Sequence, residues 1–301
     1  MITIIFGAPG SGKSSLNTFF LKQVYRREGR SRLEQARELI ERENENRAKP
    51  LTVPENPPIF ANYRVKFKTG YEKWYEPYFV NGYYLGLPNE NMPTQFIPPA
   101  SAVFLGEAQR FFNSRKSQSL PDWVSRFYEM HRHFHVDIYM DVQRPGLIDA
   151  NLREICKNFI EVRGMEHEKD NAGRIVHTSF RCRKFDDWTA VEQYLKTGEG
   201  AFEEISYENE GDIFRAFDSY SYFGEFLPKE GQDFKLLPFM GEAGKKNADA
   251  IFYGTAEPAA YRGKPSEQNG ERNKEKKGKK GDEQRSVCPE RAFLCSVWSF
   301  V

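Results

Sequence analysis

The sequence predicts an α/β protein whose mostly parallel sheet is flanked by helices. Short β-branched apolar runs recur over the first two hundred residues, and stretches of helical spacing separate them. A glycine loop joins the first such run directly to the first helical stretch. The 301 residues suit one large α/β domain or two smaller ones.

Residues 2–6 (Ile2-Thr3-Ile4-Ile5-Phe6) read as a buried strand, and a helix follows from Ser14 to about Arg27. From Arg26 to Lys49 the chain is dense in charge. Leu33, Ala36, Leu39 and Ile40 still fall at helical spacing, so a second, solvated amphipathic helix is expected there. Pro50, Pro54, Pro57 and Pro58 end it. Residues 59–65 read as a strand, and 70–100 as a loop-rich, ring-rich excursion containing Tyr71, Trp74 and Tyr75. Ala102-Val103-Phe104-Leu105 is a third apolar run with a helix-like stretch after it, from Glu107 to Phe112. Helices are expected over 121–132, 148–156 and 189–196, and strands over 136–140, 159–162 and 174–185.

Lys+Arg 44 against Asp+Glu 43 leave a formal charge of +1, so no global field of one sign points to nucleic acid or lipid. Aromatic residues reach 15%, enough rings for a sizeable core despite 29% charge. Four cysteines without a CxxC pair make neither a disulfide framework nor a zinc site. No stretch reaches the roughly 18 apolar residues that cross a bilayer, and the apolar run from Ala292 to Val301 is too short to do so. The expected organisation is one α/β domain over residues 1–200, an irregular extension over 201–261, and a charged, disordered tail with a short apolar end over 262–301.

Gly7-Ala8-Pro9-Gly10-Ser11-Gly12-Lys13-Ser14 matches G-x-x-x-x-G-K-[ST] in full. Glycines let backbone N–H groups turn toward phosphates, Lys13 meets the β/γ-phosphate charge, and Ser14 offers its hydroxyl to Mg²⁺. The helix that begins there adds its positive dipole end. The loop through Ser15 is therefore the expected ATP site, with Mg²⁺ as the companion ion.

A phosphate loop of this kind needs a carboxylate at the end of a neighbouring strand. After Ala102-Val103-Phe104-Leu105 come Gly106 and Glu107, where the usual pattern is Asp then Glu. Glu107 is placed to act as general base on the attacking water. Asp141 and Gln143 close the next strand, and Gln143 is the expected γ-phosphate sensor. Asp141 either substitutes for the missing carboxylate as a metal ligand or opens a turn before Pro145. Arg132 is the candidate phosphate-sensing or subunit-bridging arginine, with Arg115 and Arg126 as rivals. His131-Arg132-His133-Phe134-His135 reads as a helix-to-strand junction; a metal site there would lack a carboxylate or cysteine cluster.

The series Ala61-Asn62, Phe104-Leu105-Gly106-Glu107-Ala108-Gln109, His131-Arg132-His133, Gln143-Arg144-Pro145 and Ile148-Asp149-Ala150-Asn151-Leu152-Arg153, behind an N-terminal phosphate loop, resembles the zonular-occludens-toxin-like family. These are assembly and export ATPases of filamentous phages. The resemblance covers roughly residues 1–200. It implies a RecA-like P-loop core and an ATP-driven motor that extrudes single-stranded phage DNA. It further implies a homo-oligomeric ring, working with assembly and secretion proteins in the cytoplasm, at the inner face of the host membrane. The departure at Gly106 keeps open a second reading, a nucleotide-gated assembly factor with weak or no hydrolysis.

Overall fold

The computed structural model describes residues 1–48, 50–69, 73–87, 94–114, 122–217 and 239–240. The first half runs through β1 (Ile2–Phe6), α1 (Lys13–Asn44), β2 (Ile59–Ala61), β3 (Phe67–Thr69), β4 (Lys73–Tyr75), β5 (Tyr78–Phe79), β6 (Thr94–Gln95) and β7 (Ala102–Leu105). Then come α2 (Asp122–Met130), β8 (Asp137–Val142), α3 (Ala150–Ile155), β9 (Asn158–Lys169), β10 (Ile175–Phe185), α4 (Trp188–Thr197), β11 (Glu203–Glu210) and β12 (Phe239–Met240). The expectations for the tail, for most of the extension and for Arg115 lie outside the described residues.

Eight strands form one sheet in the order β11-β10-β9-β1-β8-β7-β2-β5. Neighbours from β9 to β5 are parallel, and β10 and β11 join antiparallel. β12 pairs with β6 apart from this sheet. The mostly parallel α/β fold is as the sequence predicts.

Strand parity sorts the core into two sides. Ile2, Ile4 and Phe6 of β1 pack with Ile138, Met140 and Val142 of β8, and with α2, Leu152 of α3 and Val191 of α4. Ile5 of β1 points the other way, toward Leu16 and Phe19 of α1, and Phe104 and Tyr139 meet Leu21 and Val24 there. Both faces are covered, so the central strands read as unbroken apolar runs. The helix after β1 thus lies on one face and the helix after β8 on the other. Such a reversal opens a crevice at the carboxyl ends of these adjacent strands, where ligands of α/β sheets bind.

One helix replaces the two expected near the start. α1 has 32 residues and runs through the charged stretch without a break, about 48 Å in all. Its solvated half is laced by i,i+4 pairs: Arg32–Glu28, Arg30–Glu34 and Arg42–Glu38. Gly29 sits inside the helix because Pro57 packs close; a Cβ there would lie 3.3 Å from its Cγ.

Arg32 pins α1 to the sheet. It is 8% exposed, pairs with Glu28 at 2.6 Å and with Asp137 of β8, and donates to the carbonyls of Ala100 (3.1 Å) and Ser101 (3.3 Å). Burial alone would raise the Asp137 pKa. The hydrogen bonds from the Met1 ammonium and Arg32 overcome it and hold the carboxyl below its usual range. The stability from this pair is therefore present above the ordinary aspartate pKa and is lost as pH falls through the depressed value. Arg32→Met should destabilise the fold by about 3 kcal/mol at neutral pH, because it leaves Asp137 Oδ2 and the Ala100 carbonyl without the donor they have now. Urea melts measure this, and a loss below about 1 kcal/mol would contradict the pinning role.

β9 is far longer than the four-residue strand expected. Its pairing with β1 ends at Phe6↔Glu161, but it continues to Lys169, roughly 25 Å farther. There it pairs only with β10, which β11 flanks in turn. β11 lies in the stretch expected to be irregular. Its Ile205 and Tyr207 turn toward the α1 side while Glu204, Ser206 and Glu208 alternate with them, so regular structure runs past residue 200.

Candidate nucleotide-binding site

The phosphate loop leaves β1 at the crevice between β1 and β8. Gly10 (φ 77°) and Gly12 (φ 101°) adopt left-handed backbone that glycine takes without strain. Gly12 is constrained a second time, since a Cβ there would lie 2.4 Å from the Met165 sulfur of β9. At Gly7 a Cβ would approach the Val162 carbonyl oxygen to 2.6 Å. The loop therefore rests on the root of the long β9 strand. Ala8, Pro9 and Gly10 are exposed, Ser11, Gly12 and Ser14 are half-buried, and Lys13 and Ser15 are buried. The Lys13 Nζ donates to the Ala8 carbonyl at 2.9 Å. Burial lowers the Lys13 pKa, and the charges of Asp141 and Glu107 partly restore it.

Asp141 is paired in register with Ile5 of β1 and shares with it the α1 side of the sheet. It is fully buried. Its Oδ1 accepts from the Glu107 backbone N–H at 2.8 Å. Its Oδ2 is buried without a hydrogen-bond partner. Burial pushes the carboxyl pKa up to about 6, the Glu107 charge adds to this, and the Glu107 N–H, the Ser14 hydroxyl and Lys13 oppose it. Ser14 is thus near enough to favour the charged form, without closing a well-formed bond on Oδ2.

Glu107 stands one step past β7. Leu105 is in register with Met140, so Gly106 faces the position of Asp141 on the neighbouring strand. The missing carboxylate on β7 is matched by a present one on β8. Glu107 has φ 51°, uncommon for a side chain other than glycine, and three neighbours hold it there. Asn62, just past β2, clamps the Gly106 peptide: it accepts from the N–H at 2.7 Å and donates to the carbonyl at 3.0 Å. Asp141 holds the next N–H, and the Gln109 amide donates to Glu107 Oε2. Strain of this kind persists only where surroundings over-determine it.

The structure brings Lys13, Ser14, Asp141 and Glu107 together. Gln143 is exposed just past the end of β8, at the same sheet edge. Arg132 is elsewhere. It is exposed in the turn that feeds β8, and β8 separates that turn from the site by about 20 Å. Phosphate sensing within one chain is therefore corrected, and a subunit-bridging role is what remains for Arg132. Arg126 is exposed on α2. His131 is buried with Nδ1 against the Tyr128 carbonyl, whereas His133 and His135 are exposed, so the histidines form a junction as read from sequence. Among the described residues no group of His, Cys, Asp or Glu is arranged to hold a metal by itself. Cys156 and Cys182 are buried.

Sequence reasoning missed the clamping roles of Asn62 and Gln109. Both stood in quoted motifs, yet spacing alone attaches no chemistry to an amide. The fit to a magnesium nucleotide rests on the donor set: a loop lysine spent on its own loop, a serine hydroxyl, and a buried carboxylate oxygen without a partner.

Residues 88–197 match the family model described as Zonular occludens toxin (Zot). That span includes Glu107, Gln109, Arg132, Asp141 and Gln143 but not the phosphate loop. Among solved structures, the N-terminal domain of zonular occludens toxin from Neisseria meningitidis aligns over 72% of this chain and 98% of its own, at 16% identity and TM-score 0.39. The genome packaging NTPase B204 of Sulfolobus turreted icosahedral virus 2, in complex with ATP-gammaS, aligns over 67% of this chain and 95% of its own, at 8% identity and TM-score 0.36. No curated protein matches the chain. No helix among the described residues is long and apolar enough to cross a membrane.

Proposed function

From a chain that is Zot-like over residues 88–197, we propose a motor that binds and hydrolyses ATP to drive filamentous phage assembly and extrusion of single-stranded DNA. The buried Asp141 beside Ser14 and beneath the Glu107 N–H carries this reading. The loop amides and Lys13 would hold the phosphates, and Ser14 and Asp141 would hold Mg²⁺. When bound, Mg²⁺ neutralises charge on the phosphate oxygens. Lys13 exchanges the Ala8 carbonyl for a phosphate. Glu107 takes the proton of the attacking water, with Gln109 orienting its carboxylate and Asn62 and Asp141 fixing its backbone. Gln143 faces the same edge as γ-phosphate sensor, and Arg132 reaches a neighbouring subunit in a homo-oligomeric ring. The ring works with assembly and secretion proteins at the cytoplasmic face of the host inner membrane.

Gly106 favours a second reading, a nucleotide-gated assembly factor without appreciable turnover. ATP hydrolysis with and without single-stranded DNA decides between them, with Lys13→Ala as control and light scattering for assembly size. The motor reading expects DNA-stimulated turnover by an oligomer, lost in Lys13→Ala. Turnover indifferent to DNA and to oligomeric state would reject it, and binding without turnover would leave the assembly factor.

A further inference from the structure

Among the described residues, the β3–β4 hairpin carries the most exposed of the large hydrophobic side chains. Trp74 is 56% exposed, ahead of Leu195 at 54% and Met1 at 47%. The ring is not bare: Lys66 and Lys68 each place their Nζ 5.6 Å from its centroid. Strand alternation explains the arrangement. Lys68 is directly opposite Trp74 in the ladder and Phe67 opposite Tyr75, so one face presents Trp74 with Lys66 and Lys68, and the other presents Phe67 and Tyr75.

The inner face is fixed. Phe67 and Tyr75 are buried against Tyr25 of α1, with ring centroids 5.5 and 3.9 Å away. At its root the hairpin is tied down by the Lys66 N–H, which donates to the Ala216 carbonyl at 2.7 Å, and by the Val65–Phe217 bridge. The outer ring is therefore held out from a rigid base, with little ordering left to do on binding. Arg64 joins Lys66 and Lys68 as an exposed cation, and among the described residues of the hairpin the acid beside them is Glu76, 4.0 Å from Arg64.

The hairpin leaves the same sheet edge as the phosphate loop, and its root touches the nucleotide site. Asn62 clamps Gly106, and the Tyr63 hydroxyl lies 3.4 Å from Thr18 Oγ1, which donates to the Ser14 carbonyl.

We propose that this hairpin is a stacking platform for single-stranded nucleic acid, with a base on the Trp74 ring and the flanking phosphates on Lys66 and Lys68. It rests on the DNA-handling reading above and adds to it the place of contact. A flat π-face between ammonium groups suits a ligand that is itself a polyanion with exposed rings. A bilayer anchor needs contiguous apolar area, and here the outward neighbours of the ring are charged. The near-zero total of the chain, +1, conceals this local excess of positive charge.

Fluorescence anisotropy of the full chain with a labelled thymidine oligonucleotide of about 20 nucleotides tests the proposal. Trp74→Ala should weaken binding roughly tenfold and Trp74→Phe by less than about threefold. The double variant Lys66→Gln/Lys68→Gln should flatten the log–log salt dependence by about 1.4. Titration with a fluorescent ATP analogue on the same preparations serves as the folding control, since Trp74 touches none of the nucleotide site. No oligonucleotide binding by the unaltered chain, equal binding by all variants, or equal affinity for a duplex of the same length would each overturn the platform. Recruitment to phosphatidylglycerol vesicles that is lost in Trp74→Ala, with oligonucleotide binding intact, would overturn it in favour of a lipid surface. Failure of the unaltered chain to bind the ATP analogue would instead defeat the motor reading, and the Trp74 comparison would still stand.

Discussion

Asp141→Asn is expected to lose at least about 10²-fold in Mg²⁺-dependent ATP hydrolysis while making the metal-free protein more stable at pH 8. The two effects share one cause. The carboxylate is fully buried, one of its oxygens has no hydrogen-bond partner, and its pKa is pushed up to about 6. An aspartate in the unfolded chain titrates near 3.9. With the folded value above the unfolded one, the fold favours the neutral form. Its contribution is fully present below about pH 4 and is lost as pH rises through about 6. Above that, a charge only partly offset by Ser14, Lys13 and the Glu107 N–H costs the fold on the order of 3 kcal/mol, and the asparagine removes this cost while its oxygen still accepts from the Glu107 N–H. Melting curves at pH 5 and pH 8 should show the variant's advantage only at the higher pH. A cation reverses the balance, because it binds the charged carboxylate, so added Mg²⁺ with nucleotide should stabilise the unaltered chain more than the variant. Unchanged hydrolysis in Asp141→Asn would remove Asp141 from the metal site and leave Gly106 uncompensated.

Glu107→Gln should lower single-turnover hydrolysis by about 10²- to 10⁴-fold and leave ATP affinity within about threefold. The substitution keeps the shape of the side chain, and its amide oxygen still accepts from Gln109, which holds the carboxylate now. The Asn62 clamp and the Asp141 bond reach only the backbone of this turn, so both survive. What is lost is the proton acceptor of the proposed mechanism. Rapid-quench measurement with nucleotide titration separates chemistry from binding. Hydrolysis within about threefold of the unaltered chain would move the general base elsewhere.

The site was legible in the sequence where chemistry is tied to spacing. Gly7 to Ser14 identifies the loop from residue types alone, and Asp141 follows from parity on a strand once Gly106 is seen to lack a carboxylate. Asn62 and Gln109 were less legible, because their work is done across strands and through backbone groups that no local pattern encodes. The distance of Arg132 from the loop has the same origin: sequence order puts it ten residues before the carboxyl end of β8, and the direction of β8 puts it at the opposite end of that strand. In the fold, the buried strands announce themselves as apolar runs. α1 was divided in two because its second half has a charged surface held by i,i+4 pairs, and β9 was cut short because Arg163 to Lys169 lies on a two-sided arm with few apolar neighbours. Regular structure outside the core is stabilised by pairs rather than burial, and hydrophobic periodicity does not see it.

An open sheet has to end, and the manner of its ending limits how copies of the chain can join. β11 is the outermost strand on one side and carries Glu203, Glu204, Glu208 and Glu210 in eight residues. Among the described residues no further strand pairs with its outer edge, which would otherwise accept one. A second copy approaching in register would bring like charges across a gap of about 5 Å, at neutral pH a steep electrostatic barrier. Joining two copies edge to edge through β11 is disfavoured in this way. In the proposed ring, neighbours that meet through side-chain surfaces can slide and re-form, where a shared backbone ladder would lock them together.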